Sequence, residues 1–337
     1  MQEILVGRAM PTAVALFSGG LDSTLAIRIL QEQGFQIEAL NIRTTFDCCR
    51  VPAAQAAQSL GVNLTVLSVG DDYIDLLRHP RYGYGKGMNP CVDCRIYMAR
   101  MAKRLMDEVG ACVVITGEIL GQRPMSQKRP DLANIERHSG LEGRLLRPLS
   151  AQLLPPTIPE QEGLIDRQRL YGFRGRSRGP LIELARRYGL SEIPPPSTGC
   201  ALTEVSFAPR VRDLVERDQG AGRWDFELLN VGRHFRLDPD VKAVVGRNEA
   251  ENASLEIYFR QAPPGRAAYV RPHNFVGPDV LLSGLVSARA VRLAGALILR
   301  YSKRYDPQDA WVQVSRDDRV QTLRAEQVPE AEQLRPL

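Results

Sequence analysis

The stretch that most constrains the fold runs from Ala13 to Leu30 and reads AVALFSGGLDSTLAIRIL. Its first part is a short apolar run typical of a buried strand, a Ser-Gly-Gly turn follows, and its last part has the apolar spacing of a helix. A strand, a glycine turn and a helix N-terminus together can bind an anion, because free N–H groups and the helix dipole point at it. The hydroxyls of Ser18, Ser23 and Thr24 add donors. The stretch lacks the G-x-x-x-x-G-K-[ST] pattern of a Walker A loop.

The residues from Ser18 to Ser23 match the SGGxDS signature, and the stretch resembles the PP-loop ATP pyrophosphatases. The resemblance implies cleavage of ATP between the α and β phosphates and transfer of AMP to a substrate oxygen. It also implies an ATP and Mg²⁺ site, with Asp22 acting on phosphate or magnesium and with Asn41 and Gly117 bordering adenine and ribose. The phosphate-binding residues implied are Ser18, Gly19, Gly20, Leu21, Asp22, Ser23 and Thr24. A glycine turn that serves packing alone is the alternative.

Strand-like and helix-like segments alternate through the first part of the chain. We predict strands at 35–42, 63–69, 112–116 and 144–150, and helices at 51–60, 98–109, 180–188 and 207–216. Such alternation is typical of a parallel sheet with right-handed crossovers, in which ligands bind beyond the carboxyl ends of the strands. The predicted fold class is therefore α/β, a Rossmann-like PP-loop (adenine nucleotide alpha hydrolase-like) domain followed by a smaller α+β domain.

A second motif is built on cysteine. Cys91 and Cys94 form a C-x-x-C pair in the segment NPCVDC, and Cys200 follows far downstream in PSTGC. C-x-x-C brings two sulfurs within reach of one metal or cluster, whereas the glycine before Cys200 also suits a plain turn. The pair Cys48-Cys49 is open between incidental thiols and an auxiliary sulfur carrier. Asp93, beside both thiols, is a weaker candidate acid–base group or ligand.

The combination of SGGLDST, NPCVDC and STGC resembles the tRNA thiolation branch of the PP-loop enzymes, the 2-thiouridylases and the 4-thiouridine synthetases. The resemblance implies that the cysteines carry a persulfide or hold an iron–sulfur cluster. Three thiolates, those of Cys91, Cys94 and Cys200, could hold a [4Fe–4S] cluster and leave one iron open; Cys91 and Cys200 would then be catalytic. A persulfide or disulfide relay, zinc and a structural role are the alternatives.

Two regions are candidates for contact with RNA. The segment YGFRGRSR at 171–178 carries Arg174, Arg176 and Arg178 beside two aromatics, a composition that suits a phosphate backbone, although an exposed charged turn would look the same. A polar, glycine-containing stretch at 217–225 predicts a linker between domains at 1–216 and 226–337. In the second domain, VGRNEAEN resembles the NFACT-R RNA-binding module. Arg233, Arg247 and Asn248 are its candidate RNA contacts.

Composition excludes some classes of protein. With 337 residues, of which 44% are hydrophobic, the chain can bury the cores of two domains, and its net charge of +5 only mildly favours an anionic partner. No secretory leader pattern opens the chain and no apolar run approaches the roughly 18 residues of a membrane span, so we expect a cytoplasmic protein. Six cysteines in such a chain indicate thiol or metal chemistry rather than a secreted disulfide framework.

These features predict an ATP-dependent tRNA sulfurtransferase that adenylates a uridine carbonyl oxygen and then inserts sulfur. Its partners would be tRNA and a sulfur donor, either sulfide or a cysteine desulfurase or sulfur carrier, and a homodimer is left open. One alternative is adenylation of a small molecule, as in the deazaguanine nitrile synthases, whose four-cysteine zinc site these motifs do not provide. The other is a non-catalytic protein associated with RNA or the ribosome.

Overall fold

The computed structural model describes residues 10–46, 53–190, 192–195 and 199–337. The chain forms two compact units, Met1–Ala201 and Leu202–Leu337. This division falls earlier than the sequence-based boundary, because the helix predicted to close the first domain (Ala208–Arg217) belongs to the second unit. Part of the predicted linker at 217–225 is helical as well, in Arg223–Leu228.

The helices and strands alternate in the first unit and are mostly strands in the second. The first unit contains β1 (Thr12–Leu16), α1 (Leu21–Gln31), β2 (Gln36–Arg43), α2 (Ala53–Leu60), β3 (Asn63–Ser68), α3 (Asp71–Arg78), α4 (Cys91–Val109), β4 (Val113–Thr116), α5 (Arg129–Ser139), β5 (Leu145–Leu146), α6 (Ile158–Gln161) and α7 (Gly179–Arg187). The second contains α8 (Ala208–Arg217), α9 (Arg223–Leu228), β6 (Arg233–Asp238), β7 (Val241–Val245), α10 (Glu249–Arg260), β8 (Ala267–Pro272), β9 (Val280–Gly284), α11 (Ala288–Tyr301), β10 (Trp311–Arg316), β11 (Arg319–Arg324) and α12 (Pro329–Gln333).

The first unit is built on a parallel sheet with the strand order β3-β2-β1-β4-β5. Its central strands are apolar on both faces, because helices cover both: Ala13 and Ala15 face one core cluster and Val14 the other. The strand order reverses between β1 and β4, and the carboxyl ends at such a reversal are where doubly wound sheets bind ligands. The predicted α/β class is confirmed.

Three helical features of the first unit differ from the sequence-based expectation. The helix expected from Met98 begins at Cys91, which puts both cysteines of the C-x-x-C pair in its first turn. α3 and α5 were not predicted, because few apolar residues mark their buried faces; in α3 these are Tyr73, Ile74 and Leu77. The start of the helix predicted at 51–60 lies partly outside the described residues.

The second unit contains a six-stranded sheet, β11-β10-β8-β9-β7-β6, whose pairings are all antiparallel. α11 packs on one face of it through residues such as Leu293 and Leu297, and α10 covers part of the other through Leu255. The predicted smaller α+β domain is confirmed. Across the described ranges, no helix has both the length and the apolar character that a membrane crossing requires.

Candidate active site and nucleic-acid interface

The loop between β1 and α1 has the shape of an anion-binding turn. Gly19 has a φ of 77°, in the left-handed region that a glycine adopts without strain, and Gly20 is the N-cap of α1. Because Gly20 has no side chain, nothing at the N-cap competes with a ligand for the first N–H groups of the helix. The helix dipole at this end also favours negative charge.

The serine hydroxyls divide into two roles. Ser23 is buried, and its Oγ donates to the carbonyl oxygen of Gly20 at 2.9 Å while lying 3.4 Å from the amide nitrogen of Ser18. Ser23 therefore fixes the turn from inside. Ser18 is exposed, and Thr24, whose N–H makes the first helical bond to Gly20 at 3.1 Å, is half-buried. Their hydroxyls are better placed than that of Ser23 to reach a phosphate.

Gly117 and Asn41 hold the loop in place. A Cβ atom on Gly117 would lie 2.5 Å from the backbone carbon of Asp22 and 2.5 Å from the nitrogen of Ser23, so only glycine lets the end of β4 approach α1 this closely. Asn41 Nδ2 donates to the carbonyl oxygen of Phe17 at 2.8 Å and so ties β2 to the end of β1. Both residues border the predicted nucleotide site, and both have a packing role there.

Asp22 lies at the centre of a small polar group that sequence reasoning left partly open. Gln122 Nε2 donates to Asp22 Oδ2 at 3.0 Å, and the charges of Arg178 and Arg123 also act on this carboxylate. Burial raises the pKa of Asp22, and Gln122 with the two arginines offsets part of that rise. A carboxylate flanked by an amide and two guanidinium groups at a helix N-terminus is suited to hold a magnesium–phosphate group.

The arginine-bearing segment 171–178 lies against the loop that follows β4. Ser150 joins the two: its buried Oγ donates to the carbonyl oxygen of Phe173 at 2.7 Å and accepts the N–H of Leu120 at 3.0 Å. Arg178 Nη2 donates to the carbonyl oxygen of Pro194 at 2.9 Å and is half-buried, whereas Arg174 and Arg176 are exposed. The segment therefore brings cationic side chains to the edge of the sheet that carries the loop between β1 and α1.

Two of the three motif cysteines hydrogen-bond to neighbouring aromatic residues, and the third shares a helix turn with one of them. Tyr73 on α3 donates its hydroxyl to Cys94 Sγ at 3.2 Å, and the rings of Tyr73 and Phe46 lie 6.5 Å apart. Cys200 Sγ donates to the carbonyl oxygen of Phe46 at 3.6 Å, and Cys91 opens the same turn of α4 as Cys94. All three are half-buried and unoxidised. Tyr73 and Phe46 were missed because no local sequence signal marks either as a neighbour of cysteine.

These thiols, as they lie, do not form a cluster site. Within residues 10–46, 53–190, 192–195 and 199–337, no three side chains of His, Cys, Asp or Glu are grouped so that they could hold a metal ion. The sulfurs of Cys94 and Cys200 instead take hydrogen-bonding partners from the protein. The described residues therefore do not show the predicted [4Fe–4S] cluster, which stays a prediction. Cys48, Cys49 and the Ser197-Thr198 part of STGC lie outside the described residues.

Asp93, a candidate acid–base group or ligand from the sequence, has a structural role in the fold. It is 7% exposed, and its two carboxylate oxygens accept the N–H groups of Arg81 and Tyr82, each at 3.0 Å. Asp93 thus anchors the segment between α3 and α4 to the first turn of α4.

A network of charged side chains connects the cysteines with the loop between β1 and α1. Arg95, next to Cys94, lies 3.7 Å from Glu118, which in turn pairs with the fully buried Arg147 at 3.1 Å. Burial acts to lower the pKa of Arg95, but Glu118, Cys94 and Cys91 outweigh it, so the pKa is raised. Since Glu118 directly follows Gly117, the cation beside the thiols is two contacts away from the phosphate-binding turn.

In the second unit, the predicted RNA contacts have partners within the protein. Asn248 is the N-cap of α10 and accepts the N–H of Glu251 at 3.0 Å, while Arg247 forms a bidentate pair with Glu251 that lowers the pKa of this carboxyl. The Arg233 guanidinium lies over the ring of Tyr301, 4.9 Å from its centroid. The contacts of Arg247 and Asn248 build the corner between β7 and α10, so the distinctive VGRNEAEN run is explained largely by structure, whereas the Arg233 contact joins β6 to the end of α11.

Two family models match the chain. Residues 9–152 match the family described as thiamine biosynthesis protein (ThiI), and residues 232–335 match the NFACT protein RNA binding domain. These matches confirm the resemblance predicted from SGGLDST, NPCVDC and VGRNEAEN. That resemblance is to PP-loop enzymes of the tRNA thiolation type with an NFACT-R-like module.

Curated relatives align with part of the chain. It is 27% identical over 119 residues to the tRNA-specific 2-thiouridylase MnmA of Clostridium kluyveri, and 25% identical over 146 residues to a probable tRNA sulfurtransferase of Methanothermobacter thermautotrophicus. These alignments cover 30% and 40% of this chain and 33% and 36% of the relatives, so the chain spans about a third of their length. Among solved structures, a 4-thiouridine synthetase–RNA complex with bound ATP superposes with a TM-score of 0.37 at 23% identity, covering 53% of this chain and 41% of that one.

Proposed function

We propose that this protein is an ATP-dependent tRNA sulfurtransferase that adenylates a uridine carbonyl oxygen and replaces it with sulfur. The observation that carries the proposal is the joint presence, in the first unit, of an anion-binding turn at Ser18–Thr24 and of Cys91, Cys94 and Cys200, two of which hydrogen-bond to Tyr73 and Phe46. The matches to the ThiI family and to tRNA thiolation enzymes support the same chemistry. Adenylation alone would not need the thiols.

In the first step, the carbonyl oxygen of the uridine attacks the α phosphorus of ATP and pyrophosphate leaves. The turn at Ser18–Thr24 and the dipole of α1 hold the phosphates, and Asp22 with Gln122 orients the magnesium that accompanies ATP. Arg178 and Arg123 stabilise the charge that develops on the leaving pyrophosphate. The uridine oxygen becomes part of an AMP group, which is a far better leaving group than oxide.

In the second step, a sulfur nucleophile attacks the activated ring carbon and AMP leaves with the original oxygen. We assign receipt and transfer of this sulfur to Cys91, Cys94 and Cys200, as a persulfide loaded by transfer of sulfane sulfur from the persulfide of a cysteine desulfurase or sulfur carrier, whose own thiol is released. Tyr73 donates a hydrogen bond to Cys94 Sγ, and the Arg95 cation lies beside the C-x-x-C pair, so both favour an anionic sulfur. When a persulfide sulfur has bonded to the ring carbon, a second thiol must break the S–S bond, which leaves a disulfide for reduction.

The test is incubation of the anaerobically purified full chain with ATP, Mg²⁺, a cysteine desulfurase with cysteine, a thiol reductant and unmodified tRNA, followed by mass spectrometry of the nucleosides. We expect thiouridine and AMP in equal amounts. Asp22→Asn should abolish both products, whereas Asp75→Asn, an exposed carboxylate on α3, should not. Cys94→Ser should abolish thiouridine, whereas Cys112→Ser should not. If AMP forms without tRNA, or no thiouridine forms at all, the proposal fails.

Iron analysis of the same preparation separates the two sulfur routes. About four irons per chain, lost in Cys200→Ala, would contradict the persulfide route and favour the cluster predicted from the sequence. A preparation without iron that carries a persulfide on one of the three cysteines would support the route given above.

A further inference from the structure

On one face of the sheet in the second unit, helices cover only part of the width. In β8, β10 and β11, directly opposed residues project to the same side, and the pairs are Trp311 with Arg324, Gln313 with Thr322, and Gln313 with Arg271. The other side of these strands carries Val312, Val314 and Val270, which pack in the core under α11. The face of Trp311 is therefore the outer face of the sheet.

Trp311 is held in a fixed position on this face although it is exposed. Its indole N–H donates to Asp309 Oδ1 at 2.7 Å, and its backbone N–H donates to Asn274 Oδ1 at 2.9 Å. These bonds satisfy the only polar group of the ring while the ring surface stays in solvent. An exposed tryptophan that is already oriented loses little conformational entropy when another flat group stacks on it.

The charges around Trp311 are mainly positive. Arg324 is its cross-strand neighbour, and Arg271 Nε donates to Gln313 Oε1 at 2.9 Å. In the described part of the chain, neither arginine forms an ion pair. The nearby carboxylate of Asp309 is already engaged by the indole N–H. The face thus combines an aromatic platform, two unpaired guanidinium groups and the polar side chains of Gln313 and Thr322.

We propose that this face, formed by Arg271, Trp311, Gln313, Thr322 and Arg324, binds unpaired nucleotides of the RNA substrate. A base stacks on Trp311, and Arg271 and Arg324 neutralise the flanking phosphates. Gln313 and Thr322 offer hydrogen bonds to base or ribose edges. The inference rests on the proposed RNA substrate but not on the sulfur chemistry, and it assigns RNA contact to a different part of the unit from the Arg247–Asn248 corner.

The chain contains two tryptophans, which allows a direct test on the full-length protein. Trp224→Phe leaves Trp311 as the only indole, and Trp311→Phe leaves Trp224, whose N–H donates to the carbonyl oxygen of Tyr258 at 2.9 Å. We expect unmodified tRNA and a short oligouridine to quench the fluorescence of the Trp224→Phe variant but not that of the Trp311→Phe variant. Trp311→Ala should weaken binding about 5- to 100-fold, the range of one lost base stack.

A charge-matched pair of variants on one strand controls for general electrostatics. Arg324→Gln removes a cation from the proposed face, whereas Arg319→Gln removes one from the opposite side of β11. Only Arg324→Gln should lower the salt dependence of tRNA binding, by about one phosphate contact. RNA binding without quenching of Trp311, or equal effects of the two arginine variants, would overturn the proposal. A Trp311→Ala variant that loses self-association or binding to another protein but still binds RNA would also overturn the proposal. Asp22→Asn should be inactive but should bind RNA normally. Loss of activity can therefore be distinguished from loss of the RNA site.

Discussion

Lys242 on β7 should make the stability of the second unit depend on pH. It is 3% exposed, and its ammonium nitrogen has no hydrogen-bond partner in the part of the chain that the structure describes. Burial lowers the pKa of Lys242 to about 7; Arg236 and Arg210 add to the effect, and the carboxylates of Asp213 and Asp225 oppose it. A neutral amine is therefore favoured in the folded state, while the unfolded chain keeps the ordinary value of 10.5.

The direction in which the free energy of unfolding changes with pH follows from proton binding. Between pH 7 and 10.5 the unfolded chain binds more protons at this residue than the folded chain does, so the free energy of unfolding rises with pH. The slope approaches about 1.4 kcal/mol per pH unit in the middle of this window, which gives a rise of about 2 kcal/mol between pH 7.5 and pH 9. Lys242→Met should remove that rise and should stabilise the protein by about 2–4 kcal/mol at pH 7.

The assay is urea unfolding followed by tryptophan fluorescence, because both tryptophans of the chain, Trp224 and Trp311, lie in the second unit. The midpoint of unfolding should increase from pH 7.5 to pH 9 with an unchanged urea slope, and Lys242→Met should show no such increase. Lys303→Met, at an exposed lysine, is the control for a lost positive charge. A Lys242→Met protein that keeps the full pH dependence, or is less stable at both pH values, would refute the reasoning.

Three further substitutions test the close contacts that shape the two units. Gly117→Ala should weaken ATP binding about tenfold or more in a titration, because its Cβ would push Asp22 and the start of α1 away from the end of β4. Ser150→Ala should lower the free energy of unfolding of the first unit by about 1–3 kcal/mol and weaken tRNA-stimulated AMP formation, since it leaves two backbone groups unpaired. Gly246→Ala, whose Cβ would lie 2.0 Å from Asn252 Oδ1, should destabilise the second unit by about 1–3 kcal/mol while ATP binding stays normal. An unchanged melting temperature in either of the last two variants would contradict the packing described here.

The elements that could be predicted are those whose residues carry a local pattern. Apolar runs such as that around Val14 are strands because both faces of a parallel sheet are covered, and the Ser-Gly-Gly turn marks where the first strand ends. α3, with the sequence DDYIDLLR, was not predicted although half of its eight residues are apolar and its buried residues Tyr73, Ile74 and Leu77 have helical spacing. A segment of two turns offers too few repeats of that spacing to assign a helix from sequence alone.

The same distinction holds at the candidate active site. The shape of the turn at Ser18–Thr24 could be predicted because the glycines, the helix start and the hydroxyls are adjacent in sequence, and its role in binding ATP stays a prediction. The approach of Gln122 and Arg178 to Asp22, and that of Phe46 and Tyr73 to the cysteines, depends on how distant loops meet at the sheet edge. Asp93 also shows contacts that sequence proximity does not reveal: it lies between two cysteines, and its two oxygens accept N–H groups from the backbone of a neighbouring segment.

The second unit shows why a recognisable motif need not contain the residues that bind the ligand. In VGRNEAEN, Gly246 allows Asn252 to approach, Asn248 caps α10, and Arg247 pairs with Glu251, so the spacing is dictated by one strand–helix corner. Residues fixed by packing in this way have little freedom left to adapt to an RNA. On the open face around Trp311, Arg271 donates to Gln313 Oε1, but neither Arg271 nor Arg324 forms an ion pair among the described residues, so these side chains can follow the shape of a flexible single strand. The signature therefore identifies the module, whereas its RNA contacts are expected where side chains are exposed, cationic and unpaired.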